Sequence, residues 1–437
     1  MTQVDPPLVW HPLTAQQADF WHEYRATAGD DQGTVIHALH LHGPGDDAAL
    51  AAAIAGAVAE CDVLALRLAA SAGDGLPMQA VDPARRPRPR RIDLRDQPDP
   101  EAAARDWITA TLATPRDLLR DPLADHALIR LGDSDWIWAA RGHHMMLDAY
   151  AMSLIESRAA RLYAAAVAAT PPGPALRPLA DYLTDEAAYL ASPRASADRA
   201  AWRAIMDQAP PLALARRGAA PAPVHELDQP LPDHLGQGLM ACGRALSLSW
   251  PDALTLIAAA VLIDHPALPA VNGQTPGHLT LWRAEMGRLG CVAAAVPTLV
   301  VNLLPLPLTR APGQHLPDLL RAGAAALRLQ RRHARWRFER LADDLGIAPP
   351  HRPLISPLIN VVPFAASDFP GLATRQEVLA AGSADGLTLT FRATPMAADL
   401  HLMIEADASL IPLDAVQRLP ADLLAGIERA IVALIPD

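Results

Sequence analysis

The stretch RGHHMMLDAY, residues 141–150, carries two adjacent histidines followed by an aspartate, placed between an apolar strand and a helix. The preceding residues WIWAARG (136–142) have the apolar character of a strand, and residues 149–168 repeat apolar side chains at helical spacing. Because successive side chains of a strand point to alternate faces, we expect His143 and His144 to face opposite ways. One histidine can then support the fold while the other faces a cavity.

Helix-like and strand-like patterns alternate on both sides of this stretch, which predicts an α/β or α+β fold. Upstream, the sequence predicts a strand at 35–42, a helix capped by Asp46 or Asp47 that runs to Glu60, and a hairpin formed by 127–131 with 136–142. Downstream, we expect the following elements: helices near 179–190, 195–208, 251–264 and 316–345, strands at 298–306, 387–393 and 399–407, an extended segment at 355–364, and a final helix from about 413.

The length of 437 residues exceeds what one ordinary hydrophobic core supports, so two lobes are expected. The proline-rich stretch TPPGP at 170–174 is the best candidate boundary between them. We therefore expect an N-terminal lobe at 1–175, carrying the histidine pair, and a C-terminal lobe at 176–437.

Composition excludes several classes of function. No run of about 18 uncharged apolar residues occurs, and the N-terminus lacks the pattern of a signal peptide, so neither a membrane span nor secretion is expected. Three cysteines, far apart and outside any CxxC, indicate a reducing cytoplasm and no metal site. A net charge of −11 disfavours nucleic acid as a partner. The cluster RRPRPRR at 85–91 indicates a solvated loop or, alternatively, a docking surface for an acidic partner.

Several segments in order resemble one family. His143, His144 and Asp148 match an HHxxxDG motif, with Ala149 in place of the glycine. The other matching segments are PLTAQQADFW (12–21), AAWRAIMDQAP (200–210), EMGRLGCVAAAVPTLVVNLLPL (285–306), RHARWRFERLADDLG (332–346), SPLINVVPF (356–364) and AGSADGLTL (381–389). Over nearly its whole length the chain resembles a condensation domain of a nonribosomal peptide synthetase. It is most similar to the branch that opens enterobactin-type siderophore synthetases.

The resemblance implies two chloramphenicol-acetyltransferase-like lobes in a V-shaped pseudo-dimer, with a tunnel at their junction. It also implies amide formation between an acyl or aminoacyl thioester on a donor carrier protein and the amine of an acceptor carrier protein. The domain itself then binds no cofactor, because the substrates arrive on the carriers' phosphopantetheine arms. The implied enzyme is a cytoplasmic monomer that acts on donor and acceptor carriers. A downstream adenylation domain is a further partner if the chain is the first domain of a synthetase rather than a free-standing enzyme.

Within this resemblance, His144 is the catalytic candidate, either as a general base or as a group that aims the amine. His143 is expected to support the fold. Asp148 is implied to be structural and held by an arginine, preferably Arg288, with Arg67 and Arg141 as alternatives; it could instead be an unpaired helix cap. Three further residues each have two possible roles. Tyr150 lines the channel or belongs to the core. Asn302 and Ser356 lie in segments that approach the channel in related domains, or they are polar residues that cap the backbone.

The chain departs from the family pattern at two positions. It reads ECDVLALR at 60–67 where the family has R-H-E-x-L-R-T, so Ala65 stands in place of the second arginine. If the missing glycine at 149 provides a positive φ or passage for a pantetheine arm, then Ala149 strains or narrows the site. If that position is helical, alanine is the better residue. Two alternative functions stay open: a carrier-docking module that has lost catalysis, and an acyltransferase that uses a free small-molecule acceptor.

Overall fold

The structure is a computed structural model that describes residues 7–27, 29, 33–71, 75–219, 222–266, 277–288, 290–347, 350–381 and 385–435. The chain divides into two compact units. Unit 1 consists of Met1–Ala188, Arg288–Val300 and Ala366–Ser383, and unit 2 of Tyr189–Gly287, Val301–Ala365 and Ala384–Asp437. The expected lobes, 1–175 and 176–437, differ from these units because unit 1 continues to Ala188 and takes in two later segments. One reason is that Leu179 and Tyr182 are buried in the core of unit 1.

The described helices are α1 (Ala15–Ala26), α2 (Asp47–Glu60), α3 (Pro100–Leu112), α4 (Ala149–Ala168), α5 (Leu179–Leu190), α6 (Pro193–Met206), α7 (Leu235–Leu246), α8 (Trp250–Leu262), α9 (Leu316–Arg332), α10 (Phe338–Asp344) and α11 (Leu413–Leu434). The described strands are β1 (His11–Pro12), β2 (Thr34–His42), β3 (Leu66–Ala69), β4 (Met78–Val81), β5 (Arg90–Asp93), β6 (Asp125–Arg130), β7 (Asp135–His143), β8 (Leu214–Arg216), β9 (Val224–Pro230), β10 (His278–Glu285), β11 (Asn302–Thr309), β12 (His351–Pro353), β13 (Leu358–Val362), β14 (Ala373–Ala381), β15 (Leu387–Arg392) and β16 (His401–Asp407).

Unit 1 is built on a five-stranded sheet in the order β14-β2-β7-β6-β5. The strand that carries the histidine pair, β7, lies at its centre and pairs antiparallel with β2 on one side and with β6 on the other. In the first of these pairings Thr34 lies opposite His143. A second, three-stranded sheet has the order β1-β4-β3. The predicted hairpin at 127–142 is confirmed.

The two faces of the five-stranded sheet bury separate apolar clusters. Alternate residues of the central strands, such as Leu39 and Trp138, pack with helices α2 and α4. The intervening residues, such as Ile36 and Ala139, pack with α3. This alternation is the pattern expected of strands that are covered by helices on both faces.

Helix α4 begins and ends where the sequence predicts. Its N-cap is Asp148, whose side chain accepts a hydrogen bond from the backbone N–H of Ala151 at 2.8 Å. It ends at Ala169, which adopts a left-handed conformation (φ 52°), just before the proline-rich stretch. The helix capped by Asp46 is likewise confirmed as α2, which ends at Glu60.

Unit 2 contains a six-stranded sheet in the order β11-β10-β13-β15-β16-β9, together with a two-stranded sheet of β12 and β8. The larger apolar cluster of this unit contains buried residues of α7, α8, α9 and α11 together with strand residues such as Leu281 and Leu389. A smaller cluster joins α6 and α10 to Trp282 and Leu304.

Two predictions in the second half differ from the structure. The strand expected at 298–306 begins only at Asn302, and the helix expected at 316–345 is divided into α9 and α10. Strand β14 was not predicted; it pairs with β2, more than 330 residues earlier in the chain. In the described part of the chain, no single helix is long and apolar enough to cross a membrane, although α7 and α8, bent by 93° at their break, meet that test together.

Candidate active site

The histidine pair lies where β7 ends and a turn begins. His143 is the last residue of the strand, and the backbone N–H of His144 donates a 2.6 Å hydrogen bond to the carbonyl of Gly33. Both imidazoles contact the ring of Phe20. The strict alternation that we expected for the two rings therefore does not hold, because His144 is already outside the strand and its side chain no longer follows the pleat.

His143 is fixed in the interior. Its ring is buried, and Nδ1 accepts a 3.0 Å hydrogen bond from the backbone N–H of Met145. Gly33 lies directly against this ring, since a Cβ at that position would come within 2.5 Å of the imidazole. A histidine packed in this way is suited to holding the turn rather than to exchanging protons.

His144 has a different environment. The residue is only partly buried, but its Nδ1 atom is enclosed and has no hydrogen-bond partner among the described residues. Burial lowers the pKa of His144 from the ordinary value of 6.5, and it outweighs the opposing effects of nearby backbone carbonyls and of the Asp148 charge. At neutral pH the ring is consequently uncharged and able to accept a proton.

Asp148 and Arg288 form a buried ion pair. Nη2 of Arg288 donates to both carboxylate oxygens of Asp148, at 2.8 and 2.9 Å. The second oxygen also accepts a 2.8 Å hydrogen bond from the backbone N–H of Val300. Asp148 is also the N-cap of α4, but it is a paired one: the structure corresponds to the preferred partner, Arg288, and not to the unpaired helix cap that the sequence left open. Among the alternatives, Arg67 pairs with Asp82 and Arg141 donates to Oγ1 of Thr34.

The remaining donors of Arg288 hold the segment 293–298 around the guanidinium. Nη1 donates to the carbonyls of Ala293 and Val296 at 2.6 and 2.9 Å, and Nη2 donates to the carbonyl of Thr298. The guanidinium also lies over the ring of Tyr150, 4.8 Å from its centroid. Tyr150 therefore packs on the ion pair through one face of its ring.

Sequence reasoning missed three contributors to this site. Phe20 lies next to a motif residue but is itself at a variable position of that motif, and nothing in its spacing marks it. Gly33 directly precedes β2, where a glycine is a common turn residue. Val300 contributes only its backbone N–H, which no side-chain pattern reveals.

Asn302 and Ser356, both in unit 2, use their polar atoms on the backbone. Nδ2 of Asn302 donates to the carbonyls of Ala334 and Trp336 at 2.9 Å each, and its Oδ1 accepts from the N–H of Phe338 at 3.1 Å. Oγ of Ser356 accepts from the N–H of Leu387 at 2.8 Å. These contacts correspond to the capping alternative that the sequence left open for both residues.

Comparison with known proteins identifies the family. The family profile described as condensation domain matches residues 11–405. The chain belongs to the condensation-domain family of nonribosomal peptide synthetases.

This condensation domain is similar to parts of much longer curated proteins. Isonitrile lipopeptide synthase of Streptomyces coeruleorubidus is 30% identical over 426 residues, which make up 97% of this chain and 28% of that protein. Enterobactin synthase component F of Escherichia coli O157:H7 is 30% identical over 397 residues, 86% of this chain and 29% of that protein. The chain thus spans less than a third of the length of either relative.

Solved structures resemble this condensation domain along their whole length. The crystal structure of VibH, a nonribosomal peptide synthetase condensation enzyme, matches with a TM-score of 0.85 and 31% sequence identity. The match covers 96% of this chain and 96% of the VibH chain. The first condensation domain of the calcium-dependent antibiotic synthetase, in complex with a substrate analogue, has a TM-score of 0.79 and 25% identity, with 98% of this chain and 97% of that chain covered. The predicted α/β fold is confirmed by these matches to condensation-domain structures.

The two departures from the family pattern have different structural settings. Ala149 is exposed. Because it is the first residue of α4, its backbone is helical rather than left-handed. That conformation favours the simpler explanation, in which alanine suits a helical position. Ala65 is completely buried in a short 3₁₀ turn, Asp62–Ala65. An arginine at this position would place a cation in the interior.

Proposed function

We propose that this condensation domain forms an amide bond between an acyl group, delivered as a thioester on one carrier protein, and an amine held on a second carrier protein. The observation that carries the proposal is the state of His144. Its imidazole is neutral at neutral pH, partly accessible, and mounted on a turn that a buried ion pair holds in place. A neutral imidazole in this position can accept the proton that the amine nitrogen loses as it attacks the thioester.

The reaction balances without a covalent enzyme intermediate. The amine nitrogen attacks the thioester carbonyl carbon, a C–N bond forms, and the carbonyl electron pair moves to oxygen. The imidazole of His144 accepts the proton that leaves the nitrogen. The carbonyl then re-forms, the C–S bond breaks, and the departing pantetheine thiolate takes up the proton. A free α-amine has a pKa of about 7.7–8.0, so a useful fraction is already neutral near pH 7.

The two contributions to rate differ in size. Alignment of two tethered reactants can contribute roughly 7–11 kcal/mol. General-base assistance by a histidine typically contributes about 10²–10⁴-fold. We therefore assign the larger part of the acceleration to positioning, and a measurable but smaller part to His144.

We propose carrier proteins with phosphopantetheine arms as donor and acceptor partners, supported by membership of the family. The curated relatives extend well beyond the matched region. An adenylation domain of the same synthetase is accordingly a further partner that we propose. Three cysteines without disulfides, two of them buried, agree with a reducing compartment such as the cytoplasm.

Intact mass spectrometry of loaded carriers tests the proposal. Donor and acceptor carriers charged with a panel of aryl and aminoacyl groups are incubated with the domain, and transfer is read as the mass gained by the acceptor. We expect product from the wild type and a loss of at least about 100-fold in His144→Ala. The control is His22→Ala, since His22 is exposed on α1. Carriers that bind without any product would overturn the proposal and indicate a docking module. Transfer only to free amines would indicate a different acyltransferase.

A further inference from the structure

Phe20 contacts both histidines of the motif. Its ring stacks on His144, with centroids 5.4 Å apart and planes 20° from parallel. It meets His143 edge-on, at 6.0 Å and 81°. One side chain therefore bridges the fixed imidazole and the accessible one.

Among the described residues, no side chain forms a hydrogen bond that sets the orientation of the His144 imidazole. In acid–base sites built on histidine, a carboxylate or carbonyl commonly binds one ring nitrogen and thereby fixes the ring plane. Here Nδ1 of His144 has no such partner in the described part of the chain. The nearest motif carboxylate, that of Asp148, is occupied by Arg288 and by the N–H groups of Ala151 and Val300. Beside the nearby backbone carbonyls, the contact that can orient the ring is therefore the packing of a side chain against it.

Helix α1 presents Phe20 from a rigid backbone. At the start of the helix, Thr14 and Gln17 form a reciprocal capping box, with hydrogen bonds of 2.9 and 3.4 Å. The side chains of Gln17 and Gln79 are joined by buried hydrogen bonds of 2.7 and 2.9 Å. On the other side of Phe20, Trp21 is buried in the core of unit 1. The opening motif PLTAQQADFW thus anchors the helix on both sides of the residue that touches the histidines.

We propose that Phe20 is a positioning residue that fixes the imidazole plane of His144 by stacking on it, and that the opening motif serves to hold Phe20 in place. The inference rests on the proposed function of His144 and deepens it. Stacked aromatic pairs hold their geometry with an energy equivalent to about a two- to tenfold change in an equilibrium constant. Loss of the stack allows the ring to occupy unproductive rotamers, which lowers the fraction of complexes that can react.

The test compares Phe20→Leu, which removes the ring but keeps an apolar side chain, with Phe20→Tyr, which restores a ring. Tyr24→Leu is the matched control, because Tyr24 is a partly buried aromatic one turn further along α1 whose ring packs at a tilt against Trp21 instead. In the carrier assay we expect kcat of Phe20→Leu to fall about tenfold with KM for both carriers nearly unchanged, and Phe20→Tyr to recover most of it. Equal losses in Phe20→Leu and Tyr24→Leu, or failure of Phe20→Tyr to recover activity, would overturn the assignment.

A second measurement does not depend on turnover. In protein with isotopically labelled histidine, the NMR signals of the His144 imidazole are assigned by comparison with His144→Ala. We expect these signals to broaden or shift towards rotamer-averaged positions in Phe20→Leu and to stay unchanged in Tyr24→Leu. Unchanged signals in Phe20→Leu would refute the positioning role even if the enzyme is active. If the wild type forms no amide but Phe20→Leu still frees the ring, the proposed function fails while the packing role of Phe20 stands.

Discussion

Removal of Arg288 tests how the histidine turn is held. In Arg288→Met the long apolar stem is retained but the guanidinium is lost, while the carboxylate of Asp148 keeps its hydrogen bonds from the N–H groups of Ala151 and Val300. Asp148 is 5% exposed and Arg288 only 1%, so water cannot replace the lost partner without opening the structure. Breaking a buried ion pair on one side typically costs about 3–5 kcal/mol. We expect a loss of that size in the stability of the segment that follows the turn.

The double variant Asp148→Asn, Arg288→Met measures how much of the cost comes from the interaction between the two residues and how much from the contacts that each makes with its surroundings. Asp148→Asn alone leaves a buried cation, and we expect it also to cost about 3–5 kcal/mol. In the double variant neither charge remains, so its cost should fall short of the sum of the single costs by about 1–3 kcal/mol. The control is Arg67→Met, which removes an ion pair with Asp82 whose arginine side chain is 44% exposed, and it should cost less than about 1 kcal/mol.

Hydrogen–deuterium exchange of peptides covering 149–168 and 290–300 is the suitable assay. A chain with two compact units has no single unfolding free energy, whereas exchange reports the opening of each segment. We expect faster exchange in both segments of the single variants and partial recovery in the double variant. Single variants that exchange like the wild type, or costs that are simply additive, would refute the view that the ion pair holds the turn.

Three further predictions concern neighbouring positions. His126 is fully buried, and burial lowers its pKa to about 4, below the value of about 6.5 in the unfolded chain. The contribution of a neutral His126 to stability should therefore be complete above about pH 6.5. Between about pH 6.5 and 4 the free energy of unfolding should fall by about 1.4 kcal/mol per pH unit, because only the unfolded chain binds the proton there. His126→Asn, which retains an acceptor for the indole N–H of Trp138, should flatten that slope in hydrogen–deuterium exchange of peptides covering 125–143, measured at several pH values and corrected for the intrinsic exchange rate. Gly33→Ala should displace the His143 ring and reduce condensation by about 100-fold, measured as carrier transfer. Ala149→Gly should lower the stability of 149–168 by less than about 1 kcal/mol in the exchange of that segment and leave the condensation rate unchanged, since the position is helical.

Elements set by local chemistry were predictable from the sequence. The bounds of α4 agree with the predicted 149–168, and those of α2 with a helix that Asp46 or Asp47 caps and that runs to about Glu60, because each has an aspartate as N-cap before an alanine-rich apolar repeat, and because α4 is followed by prolines. The final helix, α11, also begins where it was predicted, at Leu413. In these places the residues that predict the start or the end of a helix lie within one turn of that start or end.

Elements set by distant contacts were not predictable. The apolar residues 298–301 resemble a strand, but the carbonyl of Thr298 and the N–H of Val300 are bound to Arg288 and Asp148 and are not available for pairing in a sheet. Helix α9 stops before 333–337 because Asn302 binds the carbonyls of Ala334 and Trp336. In both cases a polar side chain from another part of the chain takes over backbone groups that a regular element would need.

Polar contacts from another part of unit 1 also explain how the chain accommodates Ala65. Aligned on R-H-E-x-L-R-T, residues 60–65 place alanine at the second arginine and Glu60 at the first, which removes two cations from this segment. Arg158 of α4 pairs in bidentate fashion with Glu60 at 2.7 Å, donates to the carbonyl of Pro172, and is itself buried. The Arg158 guanidinium lowers the pKa of the Glu60 carboxyl, so this pair stabilises the fold above the ordinary glutamate range and weakens as the carboxylate protonates. Because α4 is the helix that Asp148 caps, the pair between Glu60 at the end of α2 and Arg158 holds the middle of α4, while the pair with Arg288 holds its start. The position of the histidine turn then depends on two ion pairs along one helix, and neither of them requires an arginine at 65.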